Sequence, residues 1–259
     1  MDFDDGESIS GSLFYEPDGF RVAEKPATYT TYTTASRKSL RLRLVGHNPL
    51  WGHYLWNGGQ ILASYIEKHA SEIVKGKNVL ELGAGAGLPS LVAGICGARN
   101  VVVTDYPDAE LIENLEHNVK ISRSAGLDTR SIIARGYLWG TSIQPLLSQL
   151  QSPAKRFDTI LLADLLFNHH CHDALVSTVI DALAHTPSTR ALVFFTPYRP
   201  WLLEKDMAFF DLCRERGLTV RKVIEKVMDK VMFEEDRGDE LLRRTVFGYD
   251  IRWECHINS

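Results

Sequence analysis

The stretch VLELGAGAGLPS, from Val79 to Ser90, decides the fold of this chain. Its apolar opening passes directly into three alternate glycines, which are followed by a leucine, Pro89 and a serine. Glycine permits a positive φ and lets a ligand approach the backbone, and a proline suits the first helical turn, where its missing N–H has no intrahelical partner. The stretch therefore predicts a strand, a tight glycine turn and a helix, the arrangement of a nucleotide-type cofactor site.

The spacing of these glycines argues against two common nucleotide sites. A dinucleotide fingerprint places its third glycine where this chain has Leu88, and a P-loop needs a Gly-Lys-Ser/Thr that is absent. The turn instead has the form Glu81-x-Gly83-x-Gly85-x-Gly87, which resembles the first motif of class I S-adenosylmethionine methyltransferases. A carboxylate at Glu81 suits a ligand with a cationic amino group. The plain alternative is a glycine-rich turn in an α/β protein of another kind.

Length and composition favour a cytoplasmic enzyme. The 259 residues fit one α/β domain, residues 51–259, preceded by an N-terminal extension, residues 1–50. Hydrophobic content of 44% and charged content of 24% are those of an ordinary globular protein. The formal charge of -4 supplies no basic field for nucleic acid, and no stretch approaches the length of a membrane span. Four scattered cysteines indicate reduced thiols, and we expect a monomer.

The extension differs in character from the rest of the chain. It is polar and rich in threonine in TYTTYTTASRKS, residues 28–39, and it carries aromatic anchors at Phe14, Tyr15, Phe20 and Tyr32. We expect an arm of low regularity that packs on the domain or orders on binding. Its end, SLRLRLV, alternates between polar and apolar residues and predicts a strand.

The remainder alternates between strand and helix patterns. A helical pattern covers residues 56–70, and further helices are predicted over 88–98, 107–122, 170–185 and 201–216. Asn168 is a candidate N-cap for the helix over 170–185. Strands are predicted at NVLELG, NVVVTDY, SIIARGYLWG, FDTILLADLLF, ALVFFTPYRP and TVFGYDIRWE, with LTVRKVIEKV ambiguous between strand and helix. This alternation predicts a doubly wound, mainly parallel sheet. The acidic run 234–240 reads as a solvated loop, or as a guide for a basic substrate tail.

Three strand ends carry candidate ligand-binding side chains, because ligands of open α/β sheets lie beyond the carboxyl ends of the strands. Asp105, twenty residues after the glycine turn, is placed to accept from both ribose hydroxyls, or else to cap the next helix. Trp139 is placed to lie against an adenine face, or else to anchor the core. Asp164 ends an apolar strand, where an unpaired acid is costly, so it is the best candidate for work on the substrate.

Five segments together carry a closer resemblance. LWGHYLWNGG, VLELGAGAGLPS, VVTDYPD, LWG and ADLLFNHH, in this order over residues 47–172, resemble family 16 of the seven-strand methyltransferases, which methylate lysines of specific proteins. The resemblance implies a seven-stranded, Rossmann-like sheet that ends in a hairpin-like return. It implies S-adenosyl-L-methionine as cofactor, with S-adenosyl-L-homocysteine as product. It also implies translation elongation factor 1-alpha as a protein substrate, methylated at its N-terminal amine and/or an adjacent lysine.

Two other functions stay open beside this one. Members of this kind were earlier described as acting on nicotinamide, so one alternative is a small-molecule amine N-methyltransferase that shares every cofactor residue. The other is a binding module that keeps the fold without catalysis.

The resemblance also implies which residues form the site. By the resemblance, seven residues contact the cofactor: Trp56, Gly83, Ala84, Gly85, Asp105, Trp139 and Ala163, the last through its backbone. The glycine-turn pattern adds Glu81 to this set. Trp56 would otherwise be read as core packing at the start of an amphipathic helix. The wider family carries Asp-x-x-Tyr where this chain has Asp164-Leu165-Leu166-Phe167. Phenylalanine keeps a ring that can face a methylated ammonium but loses the hydroxyl donor.

The reaction itself sets the expected roles of the catalytic pair. Methyl transfer to an amine needs alignment and a neutral nucleophile. We expect Asp164 to orient the amine through a hydrogen bond, and Phe167, with Trp51 or Tyr198, to form an apolar wall.

Three histidines around Cys171 invite a metal interpretation. They are His169, His170 and His172, and neighbouring positions at a helix start point in different directions. The sequence also lacks a second ligand cluster at structural-zinc spacing. We therefore predict no metal, and a polar helix start at which one imidazole touches the substrate.

Overall fold

The computed structural model describes residues 26–46, 48–150 and 156–254. In chain order the elements are β1 (Thr28–Thr33), β2 (Ser39–Leu44), α1 (Asn57–Lys68), α2 (Ala70–Ile73), β3 (Asn78–Leu82), α3 (Leu88–Ile95), β4 (Asn100–Asp105), α4 (Ala109–Ser124), β5 (Ile132–Gly136), α5 (Gln144–Leu147), β6 (Thr159–Ala163), α6 (His172–Ala182), β7 (Arg190–Phe195), α7 (Leu203–Glu215), β8 (Leu218–Val227), α8 (Glu240–Arg243) and β9 (Thr245–Trp253). Two short 3-10 turns, His169–Cys171 and Pro200–Leu202, precede α6 and α7.

Seven of the strands form one sheet in the order β5-β4-β3-β6-β7-β9-β8. The pairs from β5 to β7 are parallel, whereas β9 runs antiparallel to both β7 and β8. The predicted doubly wound, mainly parallel sheet with a hairpin-like return is confirmed, and the ambiguous stretch LTVRKVIEKV is strand β8. From the central strand β3 the chain continues to β4 and β5 toward one edge of the sheet. It then returns to β6 on the opposite side of β3 and continues toward the other edge. The carboxyl ends of β3 and β6 therefore flank the switch point at which ligands of such sheets bind.

Helices cover both faces of the sheet, which explains why the central strands are apolar throughout. Within β6, Ile160 and Leu162 belong to one hydrophobic cluster together with Val176 of α6 and Phe209 of α7. Leu161 points the other way, into the cluster that holds the apolar side chains of α1 and α3. This alternation fixes the register of the strands and hence the positions of their ends.

The threonine-rich stretch is a strand, so the prediction of an irregular arm is wrong for Thr28–Thr33. These residues pair antiparallel with β2, because β-branched and aromatic side chains suit a half-exposed ribbon. The hairpin is tied down by the buried side chain of Asn118 on α4, which accepts from the Arg43 N–H at 2.7 Å and donates to the Arg43 carbonyl at 2.9 Å. The same amide donates to the carbonyl of Ala86 in the glycine turn at 3.0 Å. The anchors Phe14, Tyr15 and Phe20 lie outside the described residues.

Two predicted helix starts also differ from the structure. The helix predicted over 107–122 is α4, which begins at Ala109 and not at Pro107, because the Asp108 side chain accepts from the Glu110 N–H at 3.0 Å and caps the helix. Asn168 makes no capping hydrogen bond, and α6 begins only after the 3-10 turn. Over the described ranges, no helix combines the length and apolarity that crossing a membrane requires.

Candidate active site

A cavity of about 320 Å³ opens at the carboxyl ends of β3, β4 and β6. Its volume lies at the lower end of the range of small-molecule sites, roughly 300–1,000 Å³. The structure brings all ten sequence-predicted site residues to its wall: Trp56, Glu81, Gly83, Ala84, Gly85, Asp105, Trp139, Ala163, Asp164 and Phe167. The pocket therefore joins the expected cofactor residues and the expected substrate residues in one space.

The glycine turn forms one side of this cavity. Gly83, Gly85 and Gly87 all have positive φ, at 58°, 55° and 74°, which side chains with a Cβ rarely adopt. A Cβ at Gly83 would lie 2.6 Å from Leu165 and 3.1 Å from the Trp139 ring, so this glycine allows the indole to approach the turn. A Cβ at Gly85 would meet nothing within 4 Å. The turn thus presents open backbone to a ligand.

Glu81 is buried behind the turn, with 1% of its surface exposed. Its carboxylate accepts from the Ser90 N–H at 2.8 Å, at the N-terminus of α3. Burial raises the pKa of Glu81 to about 8, although the hydrogen bonds from Ser90 oppose this. A cation in the cavity would favour the charged carboxylate. The residue therefore supports the turn and also matches the cationic ligand that the sequence suggests.

Asp105 lies at the end of β4, where it is bound to backbone donors. One carboxylate oxygen accepts from the Gly85 N–H at 2.7 Å and the other from the Tyr106 N–H at 2.7 Å. Burial raises its pKa. Each oxygen keeps a second acceptor site, so the group can still receive ribose hydroxyls. The alternative role of capping the next helix is wrong, because Asp108 performs it.

Asp164 connects three parts of the site. It has a left-handed φ of 53°, and 6% of its surface is exposed. One carboxylate oxygen accepts from the Gly58 N–H of α1 at 2.6 Å, and the other accepts from the Thr196 N–H beyond β7 at 2.8 Å. Burial raises the pKa of Asp164 to about 7, and these two N–H groups oppose the rise. The left-handed backbone costs roughly 1–2 kcal/mol, which these bonds offset.

Gly58 is a site residue that the sequence analysis missed. A Cβ there would lie 2.5 Å from an Asp164 carboxylate oxygen and 2.9 Å from the Phe194 carbonyl. The glycine pair at the start of α1 was the available signal, since glycine is unfavourable in a helix interior unless close packing requires it.

Four rings form what we call the aromatic cluster: Tyr54, Trp56, Tyr198 and Phe233. Centroid distances to the Trp56 ring are 5.5 Å from Tyr54, 5.1 Å from Tyr198 and 5.9 Å from Phe233. Phe167 faces the same indole nearly parallel, at 6.5 Å and 22°. Trp56 and Phe167 line the cavity, whereas Tyr198 and Phe233 pack behind the indole. The cavity therefore has an apolar wall that is supported from behind.

Two expectations about this wall can now be compared with the structure. Tyr198 contacts the indole directly, and its hydroxyl accepts from the Asn57 N–H at 3.3 Å. Trp51 lines the cavity, and its carbonyl accepts from the Trp56 indole N–H at 3.1 Å, while its own ring stacks on His53. Phe233 was missed because it lies on the loop between β8 and α8, where no local pattern marks it.

The three histidines have different surroundings. His169 pairs with Asp206 at 2.6 Å, and His172 contacts the Leu166 carbonyl at 2.8 Å, whereas His170 lines the cavity. Within the part of the chain that the structure describes, no three histidine, cysteine or acidic side chains are grouped to hold a metal ion.

Comparison with known proteins gives consistent results. The profile of the lysine methyltransferase family matches residues 35–216. The protein N-terminal and lysine N-methyltransferase of Aspergillus fumigatus is 46% identical over 243 residues, which cover 94% of each chain. The protein of the same name from Schizosaccharomyces pombe is 45% identical over 242 residues, covering 92% of this chain and 93% of its own length.

Solved structures support the fold. A candidate RNA methyltransferase from Pyrococcus horikoshii superposes with a TM-score of 0.53 at 17% identity, covering 82% of this chain and 90% of its own. A candidate S-adenosylmethionine-dependent methyltransferase from Streptococcus mutans gives a TM-score of 0.52 at 11% identity, covering 86% of this chain and 55% of its own. At these identities the likeness concerns architecture alone.

Proposed function

The chain belongs to the lysine methyltransferase family, and we propose that it methylates a protein amine with S-adenosylmethionine, at the N-terminus and/or an adjacent lysine of translation elongation factor 1-alpha. One observation supports this most strongly. A single cavity holds the glycine turn and Asp105 together with Asp164 and the Trp56–Phe167 wall. A methyl donor and an acceptor amine can therefore be bound next to each other in this cavity.

The residues present fit this cofactor. Asp105 would receive the ribose hydroxyls, Trp139 would lie against the adenine, and the open backbone at Gly85 would admit the ligand. The Ala163 backbone and Trp56 complete the proposed contacts, and Glu81 complements the positive charge. When bound, the cofactor would supply a methyl group on a sulfonium, and the positive charge would pass from sulfur to the amine nitrogen during transfer. An apolar wall favours a transition state in which that charge is spread over both atoms.

The amine must be aligned and neutral to react. Holding it at contact distance can supply roughly 7–11 kcal/mol of the barrier. Asp164 is fixed by two backbone donors, so its remaining acceptor sites have a defined direction toward the cavity. We propose that they orient the amine hydrogen atoms, while Phe167 and Trp56 exclude water. A dry environment lowers the pKa of an amine and so favours its reactive form.

Two features support a protein substrate over a free small molecule. The relatives named above act, by their names, on protein N-termini and lysines. Exposed acids at Glu234, Glu235 and Asp236 directly follow Phe233 of the aromatic cluster, where they can attract a cationic tail. We further propose that the enzyme acts as a monomer in the cytoplasm.

The test uses S-adenosylmethionine with a labelled methyl group and two acceptors, purified elongation factor 1-alpha and nicotinamide. We expect label in the protein, and mass spectrometry should place it in the N-terminal peptide. Asp105→Ala should lose the activity, whereas the control Asp108→Ala, which removes a helix cap and an acid outside the cavity, should keep it. Label in nicotinamide alone would support the small-molecule alternative, and no transfer to either acceptor would contradict the proposal.

A further inference from the structure

One histidine at the site differs from its neighbours in having no partner. Over the described part of the chain, His169 is paired with Asp206 and His172 with a backbone carbonyl, and His170 makes no hydrogen bond or ion pair. His170 is exposed, and it lines the same cavity as Asp164 and Phe167. Its imidazole therefore borders both this cavity and water.

The reaction requires a group that can accept a proton. A lysine has a pKa near 10.4, so at pH 7 roughly one side chain in 2,500 is a free base, whereas for an α-amine with a pKa near 8 the fraction is roughly one in ten. An ammonium has no lone pair and cannot attack the methyl carbon. The proton must leave before transfer, and this need is far greater for lysine.

The carboxylates of the cavity are poorly placed for this task. Glu81 is buried behind the glycine turn against the Ser90 N–H, and Asp105 lies at the cofactor end against two backbone donors. Asp164 accepts from two backbone N–H groups that hold it in place. Glu81 and Asp164 are also buried, so a proton taken up by either has no direct exit to water. The exposed imidazole of His170 can accept a proton and pass it to water.

We propose that the His170 imidazole accepts the proton that the substrate ammonium loses before methyl transfer. The inference rests on the proposed function. An N–H bond of the ammonium breaks and its proton moves to an imidazole nitrogen, which leaves a lone pair on the amine. That lone pair forms the N–C bond as the C–S bond breaks, so the sulfonium becomes a neutral thioether and the positive charge moves to the methylated nitrogen. The exposed imidazolium then returns its proton to water.

The titratable and charged groups near this histidine belong to four segments. His169, Cys171 and His172 share its turn and the start of α6, and Asp206 approaches from α7 to pair with His169. Arg199 donates to the Phe167 carbonyl at 2.9 Å from the segment after β7. Asp164 lines the same cavity. The surroundings of His170 therefore include the paired His169 and Asp206 and one arginine.

The test compares the wild type with His170→Gln on two peptides. One peptide has an acetylated N-terminus and a single lysine, and the other has a free α-amine and no lysine. At pH 7 we expect kcat to fall by roughly 100-fold on the lysine peptide, within the range for a general base, and by less on the α-amine peptide. The loss should shrink at pH 9.5 and on addition of imidazole, with cofactor affinity by calorimetry unchanged. His117→Gln, on α4 and outside the cavity, is the control and should match the wild type.

Two results would overturn the role of His170. One is a variant as active as the wild type at pH 7, and the other is a loss that is equal for both peptides and at both pH values. A wild type that methylates neither peptide nor the intact protein would instead count against the proposed function, so the two failures are distinguishable.

Discussion

Replacing Gly58 by alanine tests the contact that holds the site together. The new Cβ would lie 2.5 Å from one carboxylate oxygen of Asp164, 2.8 Å from its Cγ and 2.9 Å from the Phe194 carbonyl. All three atoms belong to buried residues, and the carboxylate is held by the Gly58 and Thr196 N–H groups. Either the start of α1 moves away from β6, or Asp164 turns and loses its 2.6 Å bond from the Gly58 N–H.

The size of the effect follows from these two costs. Overpacking in a well-packed interior costs roughly 1–3 kcal/mol, and a lost hydrogen bond to a charged group costs roughly 1.5–3 kcal/mol. Because one movement can relieve part of the other cost, we expect Gly58→Ala to lower the free energy of unfolding by about 3 kcal/mol. The rate of methyl transfer should fall by more than the loss of folded protein explains. The reason is that a shift of α1 would also move Trp56, which directly precedes this helix and lines the cavity.

The adjacent glycine provides a matched control. A Cβ at Gly59 would meet only the Ala163 Cβ, at 4.0 Å, which is an ordinary contact. Gly59→Ala should therefore be neutral or raise stability by roughly 0.5–1 kcal/mol, the helix preference of alanine over glycine. Urea unfolding monitored by circular dichroism gives both values. Equal stabilities for the two variants would refute the assigned role of the Gly58–Asp164 contact.

Three further changes separate binding, catalysis and folding. Asp164→Ala should abolish methyl transfer while cofactor binding survives in calorimetry, and full activity would contradict its role. Folding raises the pKa of Glu81 from 4.5 to about 8, so the folded protein holds this proton more tightly than the unfolded chain does. The free energy of unfolding should therefore fall as the pH rises from 4.5 to about 8. Glu81→Gln should flatten that fall and stabilise the cofactor-free protein by up to about 3 kcal/mol at pH 7, whereas an unchanged slope would argue against a raised pKa. Deleting residues 1–25 should reduce methylation of the protein substrate more than it reduces cofactor binding. Deleting residues 1–35 also removes β1 and should impair both. If the shorter deletion lowers methylation and cofactor binding equally, that segment has no separate role in substrate recognition.

The sequence predicted the central sheet well because its information is local. Buried strands such as NVLEL and TILLA are short apolar runs bounded by turn residues, and the glycine turn fixes the first strand–helix connection. The carboxyl ends of parallel strands share one edge. This geometric rule places Asp105 and Asp164 in the same cavity without knowledge of any distance between them.

Contacts between segments that are distant in the chain could not be predicted from the sequence. Phe233 joins the aromatic cluster from a loop of polar composition, and Asn118 links the hairpin to the glycine turn from the middle of α4. The strand Thr28–Thr33 was missed for another reason. Its low apolar content suggested an arm, although its β-branched and aromatic residues favour a strand. Tertiary pairing with β2 decided between these readings.

Isothermal titration calorimetry with S-adenosylmethionine and S-adenosylhomocysteine tests the central claim most directly. The account predicts one site per chain for each ligand, and loss of the heat in Asp105→Ala but not in Asp108→Ala. No heat from either ligand, with material that circular dichroism shows to be folded, would contradict the assignment of this cavity as the cofactor site.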